Sequence, residues 1–112
     1  MGIKRKIPLK PLSVNEAWQG KRFKTPKYKK YESDLLFILP KIKIPDPPYQ
    51  LYFKFGFSST LSDGDNPVKP TQDILAKKYG FDDKLIKRWV IETEIVKKGA
   101  EFIEFELTTI TV

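Results

Sequence analysis

Tyr49-Gln50-Leu51-Tyr52-Phe53-Lys54-Phe55-Gly56-Phe57 is the stretch on which the reading of this chain turns. Tyr49, Leu51, Phe53, Phe55 and Phe57 alternate with Gln50, Tyr52, Lys54 and Gly56, the period of two that sends one set of side chains to one face of a strand. So many large apolar groups on one face predict a central strand. Pro45-Asp46-Pro47-Pro48 before it is a turn. After it comes Leu61-Ser62-Asp63-Gly64-Asp65-Asn66, which places Asp63 and Asp65 just past the carboxyl end of that strand.

Toward the amino end, Thr25 followed by Pro26 reads as a helix cap and a proline at the first helical position. Apolar residues at 28, 31, 35, 38 and 39 then predict a helix over 26–39, stopped by Pro40. Residues 2–9 set Ile3, Ile7 and Leu9 against Lys4 and Lys6, a strand that ends between Pro8 and Pro11. From there to Lys24 the chain is polar and irregular, with Ser13, Asn15, Trp18, Gly20 and Arg22 in a loop too long to be a plain connector.

Toward the carboxyl end a second helix follows the acidic loop. Either Asn66 caps it with Pro67 at the first position, or the helix begins at Pro70; both close it at Tyr79-Gly80, a glycine C-cap. Residues 87–96 and 102–111 are two further strands, expected to form a hairpin through Lys97-Lys98-Gly99-Ala100. The whole describes one α/β (α+β) domain over residues 1–112. Its sheet is small, mixed and largely antiparallel, with about four strands and two main helices on one face.

The 112 residues allow a single core, which a second copy of the chain would enlarge. Cysteine is absent, so disulfides and thiolate zinc sites are excluded. Histidine is absent as well, which removes the commonest general base and metal ligand. Chemistry here must run on carboxylates, lysines, hydroxyls or a bound ion. The longest apolar run, Leu35-Leu36-Phe37-Ile38-Leu39, is far too short to span a membrane, and a soluble, intracellular protein is expected. The formal charge is +7, and residues 1–30 hold ten Lys or Arg against Glu16 alone. A polyanionic partner or a solvated surface accounts equally for that bias.

Hydrolysis of a phosphodiester requires an activated water and neutralisation of growing phosphate charge. Mg2+ held by a few carboxylates supplies both without histidine. Asp63 and Asp65, separated by Gly64, can turn toward one ion, and Asp83 can join them if the chain folds back after the second helix. Lys69 can direct its ammonium at the scissile phosphate or the attacking water. Each of these residues also has a plainer use: Asp-Gly is a turn signal, Asn-Pro opens helices, and a lone lysine is usually a surface charge. Asp73, in mid-helix, is expected to face solvent.

Asp-x-Asp-Asn-x-x-Lys (Asp63, Asp65, Asn66, Lys69), a helix of about three turns, then Gly80-Phe81-Asp82-Asp83 and a strand resemble the RusA family of Holliday junction resolvases. Pro11-Leu12-Ser13-Val14-Asn15 with Trp18 is similar to the loop that opens members of that family. The stretch Thr25 to Tyr31 resembles their lead into the first helix. The likeness runs over about residues 7–110. It implies a homodimeric, Mg2+-dependent endodeoxyribonuclease, with Mn2+ able to substitute, that resolves four-way DNA in recombination and repair or in phage DNA processing. Its setting would be the cytoplasm of a bacterial host.

By this resemblance Asp63, Asp65 and Asp83 hold the metal and Lys69 is the catalytic lysine. The spacing to Asp83 is about one residue shorter than in the family, so Asp82 and Asp83 both stay open, and Pro67 and Pro70 flank the lysine. Asn15, Lys21, Arg22, Phe23, Lys24, Lys27, Lys30 and Asn66 are the candidate DNA contacts, with Trp18, Phe23 and Tyr28 as aromatics able to stack at the junction. A non-catalytic DNA-binding or DNA-structuring protein that keeps the same fold is the alternative.

Overall fold

The computed structural model describes residues 4–12, 18–19, 23–59 and 67–110. Its elements are β1 (Arg5–Ile7), β2 (Trp18–Gln19), β3 (Phe23–Lys24), α1 (Pro26–Ile38), β4 (Tyr49–Phe57), α2 (Val68–Tyr79), β5 (Ile86–Ile95) and β6 (Phe102–Thr109), with a 3₁₀ turn at Asp83–Leu85. They form a small mixed α/β domain with an open four-stranded sheet in the order β1-β6-β4-β5. β6 runs antiparallel to both β1 and β4, whereas β5 runs parallel to β4. A parallel neighbour needs a crossover, and α2 provides it.

β4 is central, as its sequence predicts. Leu51, Phe53 and Phe55 are fully buried and pack with Ile103 and Phe105 of β6, Tyr28, Tyr31 and Leu35 of α1, and Ile74 and Leu75 of α2. Both helices therefore cover one face. The other face of β4 is also shielded. Tyr52 lies under the Lys4 ammonium at 4.6 Å, and Phe102 lies under Lys6 at 4.2 Å. Gly56 faces Phe102 so closely that any Cβ would drive into the ring.

α1 begins where the Thr25-Pro26 pair predicts. Thr25 Oγ1 accepts the Tyr28 N–H at 3.1 Å, and Pro26 occupies the first turn. Tyr28, Tyr31 and Leu35 form the buried stripe, but Ile38 is 39% exposed and Phe37 91% exposed, so the stripe leaves Ile38 outside. The two helices are joined by a buried hydrogen bond between Tyr31 Oη and Thr71 Oγ1 at 2.7 Å. Burial pushes the Tyr31 hydroxyl pKa well above its ordinary value, against the opposing effect of its bonds to Thr71 and the Leu12 backbone. Tyr31→Phe strands the Thr71 hydroxyl without this partner and is expected to cost about 1–3 kcal/mol. The double variant Tyr31→Phe/Thr71→Val removes both polar groups and should cost less than the single one, read from urea unfolding midpoints.

Four expectations are corrected. β5 and β6 do not pair as a hairpin: β4 lies between them, and residues 96–101 carry the chain over its end, where Val96 N–H donates to Phe57 O at 2.7 Å. Gly99 still takes the positive φ (94°) foreseen for that loop. The stretch before Lys24 is not all irregular, because Trp18 and Gln19 pair antiparallel with Lys24 and Phe23. The amino-terminal strand extends only over Arg5–Ile7 of its described residues. Finally, α2 begins at Val68 with Pro67 as its cap residue, and its first bond is Thr71 N–H to Pro67 O at 3.1 Å. Pro70 falls among the opening positions whose N–H groups have no helical acceptor, so it costs no hydrogen bond. Gly80 ends the helix at φ 72°.

Candidate functional site

Asp63, Asp65 and Asn66 lie outside the described residues, as do Asn15, Lys21 and Arg22. Lys69 and Asp83 are described. Lys69 sits in the first turn of α2, and its ammonium donates to Asp73 Oδ1 at 2.9 Å, a pair four residues apart on one helix face. The Lys69 pKa is raised above its ordinary value, first by that hydrogen bond and then by the charges of Asp73 and Asp83, against a lowering from partial burial. The charge of Asp83 therefore reaches Lys69, although the length of α2 separates them in sequence. Chain return explains it: α2 stops at Gly80, Phe81 is buried with its ring edge-on to Tyr49 at 5.6 Å, and the 3₁₀ turn then presents Asp83.

Asp82 and Asp83 differ in their local partners. Asp82 Oδ1 accepts the Lys84 N–H at 2.9 Å and caps the 3₁₀ turn from an exposed position. Asp83 is partly buried and its carboxylate has no hydrogen bond or ion pair among the described residues. Carboxylate oxygens are hard donors of the kind Mg2+ takes. Among the described residues no group of three or more Asp, Glu, His or Cys converges to hold an ion. Of the three carboxylates expected to hold a metal, only Asp83 lies among the described residues.

Asp73 departs from its expected solvent-facing role. It does not simply face solvent; it holds Lys69, and its charge also acts on Tyr28. The signal was present as the four-residue spacing from Lys69. Gln72 beside it is buried and accepts the Trp89 indole N–H at 2.8 Å, tying α2 to β5.

Tyr28 links this region to the basic amino-terminal segment. Its pKa is pushed up to about 12, first by burial and then by the charges of Asp73 and Glu32. The Lys24 ammonium lies 5.0 Å from the Tyr28 ring centre and pairs with Glu32 at 3.2 Å. Tyr28 is only 1% exposed, so it packs in the core and is not a stacking platform for a base. Lys30 is paired with Asp34 at 2.9 Å but stays 78% exposed. Such an exposed pair is worth at most about 1 kcal/mol, little enough for a phosphate to displace it. Lys10, Lys27 and Lys30, with Leu12, Tyr31 and Asp34, line a cavity of about 250 Å³ between α1 and the segment after β1.

No protein-family model matches this chain, and no curated protein matches it. Among the described residues no helix is long and apolar enough to cross a membrane.

Proposed function

We propose that this chain is a divalent-metal-dependent endodeoxyribonuclease that cuts four-way DNA junctions in pairs, as a homodimer with one site in each subunit. The observation that carries the proposal is the Lys69 ammonium held on Asp73 in the first turn of α2, within reach of the Asp83 charge, in a chain whose α1 and preceding segment carry Lys10, Lys24, Lys27 and Lys30. In this reading Asp83 joins Asp63 and Asp65 in holding Mg2+ or Mn2+. Such an ion, when bound, lowers the pKa of its water and offsets phosphate charge.

The chain's own groups have separate tasks. Lys69, kept protonated by its acidic neighbours, is a fixed positive charge for the phosphate and not a proton acceptor. Asp73 positions that ammonium. Lys10, Lys24, Lys27 and Lys30 follow the phosphate backbone without reading bases. If four or more lysines do so, junction affinity should fall with a log–log salt slope of about −3.6 or steeper, roughly a 150-fold loss or more from 50 to 200 mM salt. Fluorescence anisotropy measures this, and a flat response removes the basic surface from the binding site.

The test of the activity compares labelled four-way junction, linear duplex and RNA hairpin substrates with Mg2+. Paired cuts in the junction alone are expected. Equal cutting of linear duplex makes the protein a general nuclease, and binding with no cutting in Mg2+ or Mn2+ makes it a DNA-structuring protein.

A further inference from the structure

The cavity of about 250 Å³ between α1 and the segment after β1 has two kinds of wall. Leu9, Leu12 and Tyr31 make an apolar part, and Lys10, Lys27, Lys30 and Asp34 a charged one. Three ammonium groups against one carboxylate select an anion. The helix itself points to the same sign. Lys27, Lys29 and Lys30 occupy the opening turns of α1 with no acidic residue in the first turn, a placement the helix dipole opposes unless an anion lies nearby. Such a space holds more than an inorganic anion, and it falls just below the roughly 300–1,000 Å³ of sites for drug-sized ligands.

We infer that this cavity binds a single nucleoside monophosphate, its phosphate on Lys10, Lys27 and Lys30 and its base against Leu9, Leu12 and the Tyr31 ring. The apolar part decides the body of the ligand. Tyr31 Oη is already bonded to Thr71 Oγ1 at 2.7 Å and to the Leu12 backbone, so Tyr31 offers the cavity only its ring. Leu12 is buried and adds no polar side-chain atom. A base suits such walls, because its faces are apolar and its polar groups lie at its edge.

Asp34 gives that edge a partner. Its Oδ2 accepts from the Lys30 ammonium at 2.9 Å, a pair that a phosphate drawing on Lys30 would open. The released carboxylate oxygen then accepts from an exocyclic amino group, which adenine, cytosine and guanine carry and thymine lacks. An alkyl anion has no donor for it and would leave the carboxylate unpaired. A nucleotide turned out of a DNA strand and a free mononucleotide share this chemistry. The first source rests on the nuclease reading and deepens it; the second needs only the cavity.

Titration of the isotope-labelled full-length protein with deoxyadenosine monophosphate, followed by amide NMR shifts, tests the site. Saturable shifts are expected at residues 9–12 and 27–34. Inorganic phosphate should bind about tenfold more weakly, having no ring to bury, and thymidine monophosphate about threefold more weakly, having no amino group for Asp34. Lys27→Glu/Lys30→Glu, at two exposed positions, should lose the shifts with unchanged far-UV circular dichroism. Asp34→Ala should erase the difference between the two nucleotides. For the strand, a four-way junction carrying 2-aminopurine at its crossover should brighten on saturation with the wild type and not with Lys27→Glu/Lys30→Glu. Shifts without brightening make the free nucleotide the ligand, and variant-sensitive brightening without shifts makes the strand its source. Absence of both, or inorganic phosphate binding as tightly as the nucleotide, overturns the proposal. No readout here needs cleavage, so an inactive protein leaves the site standing.

Discussion

Replacing Lys69 with alanine is expected to slow cleavage of a four-way junction by about 10²–10³-fold, the size seen when one preorganised group that stabilises transition-state charge is removed. Junction affinity should change by less than about threefold, because one phosphate-directed charge is a small share of the binding electrostatics. The difference follows from what Lys69 does in the fold. Its ammonium is hydrogen-bonded to Asp73 and lies in the field of Asp83, which raise its pKa. A raised lysine pKa means the charged form is favoured by the fold. That contribution to stability is complete below the unfolded value and is lost only as pH rises through the folded one, far above neutrality. Lys69 should therefore add no limb to the pH–rate profile between about pH 6 and 9. Single-turnover cleavage and anisotropy on the same samples separate the two effects. Equal loss of cutting and binding would make Lys69 a DNA contact only.

Phe53→Ala is expected to cost about 3–5 kcal/mol. Phe53 is fully buried at the middle of β4, stacked on Phe55 at 5.1 Å, and flanked in register by Phe105 and Ile91. Neighbouring strands and both helices fix the walls of that site, so the space left by the ring cannot readily collapse. Domains of this size have total stabilities of about 5–15 kcal/mol, so the variant should lose a large fraction of its stability. Urea unfolding followed by circular dichroism checks it. A loss below about 1 kcal/mol would mean that β4 is not the centre of the core.

What could be read from the sequence was local. Thr25-Pro26 marks the start of α1 because capping and the proline φ are properties of adjacent residues. The alternation of β4 and the stop at Gly80 are of the same kind. Strand order was not legible: Lys98-Gly99 announces a turn but not whether the strands on either side of it pair, and β4 inserts between them. Two-residue strands such as β2 and β3 are too short to show a period. β5 mixes apolar with charged side chains, and the sheet order shows it to be an edge strand among the described residues.

The site divided in the same way. Spacing and the family resemblance together point to Lys69 and Asp83, yet the reach of the Asp83 charge to Lys69 depends on how the chain returns after α2, which no local pattern encodes. Asp73 was assigned to solvent because a mid-helix aspartate usually is; its partner four residues back gives it a different task. Lys24 and Lys30 read as free positive charges in sequence and are paired with Glu32 and Asp34 in the fold, since ion pairs across eight and four residues depend on helix placement.

In the proposed site Asp83 shares one divalent ion with Asp63 and Asp65 near Lys69. Fe2+ loaded in place of Mg2+, with ascorbate and peroxide, generates radicals that cut the backbone next to the bound ion. Cuts are expected in two separated stretches, near residues 62–66 and near residues 82–84, both suppressed by excess Mg2+ and both lost in Asp83→Asn. Cuts confined to one stretch, or unaffected by Mg2+, would contradict a shared ion.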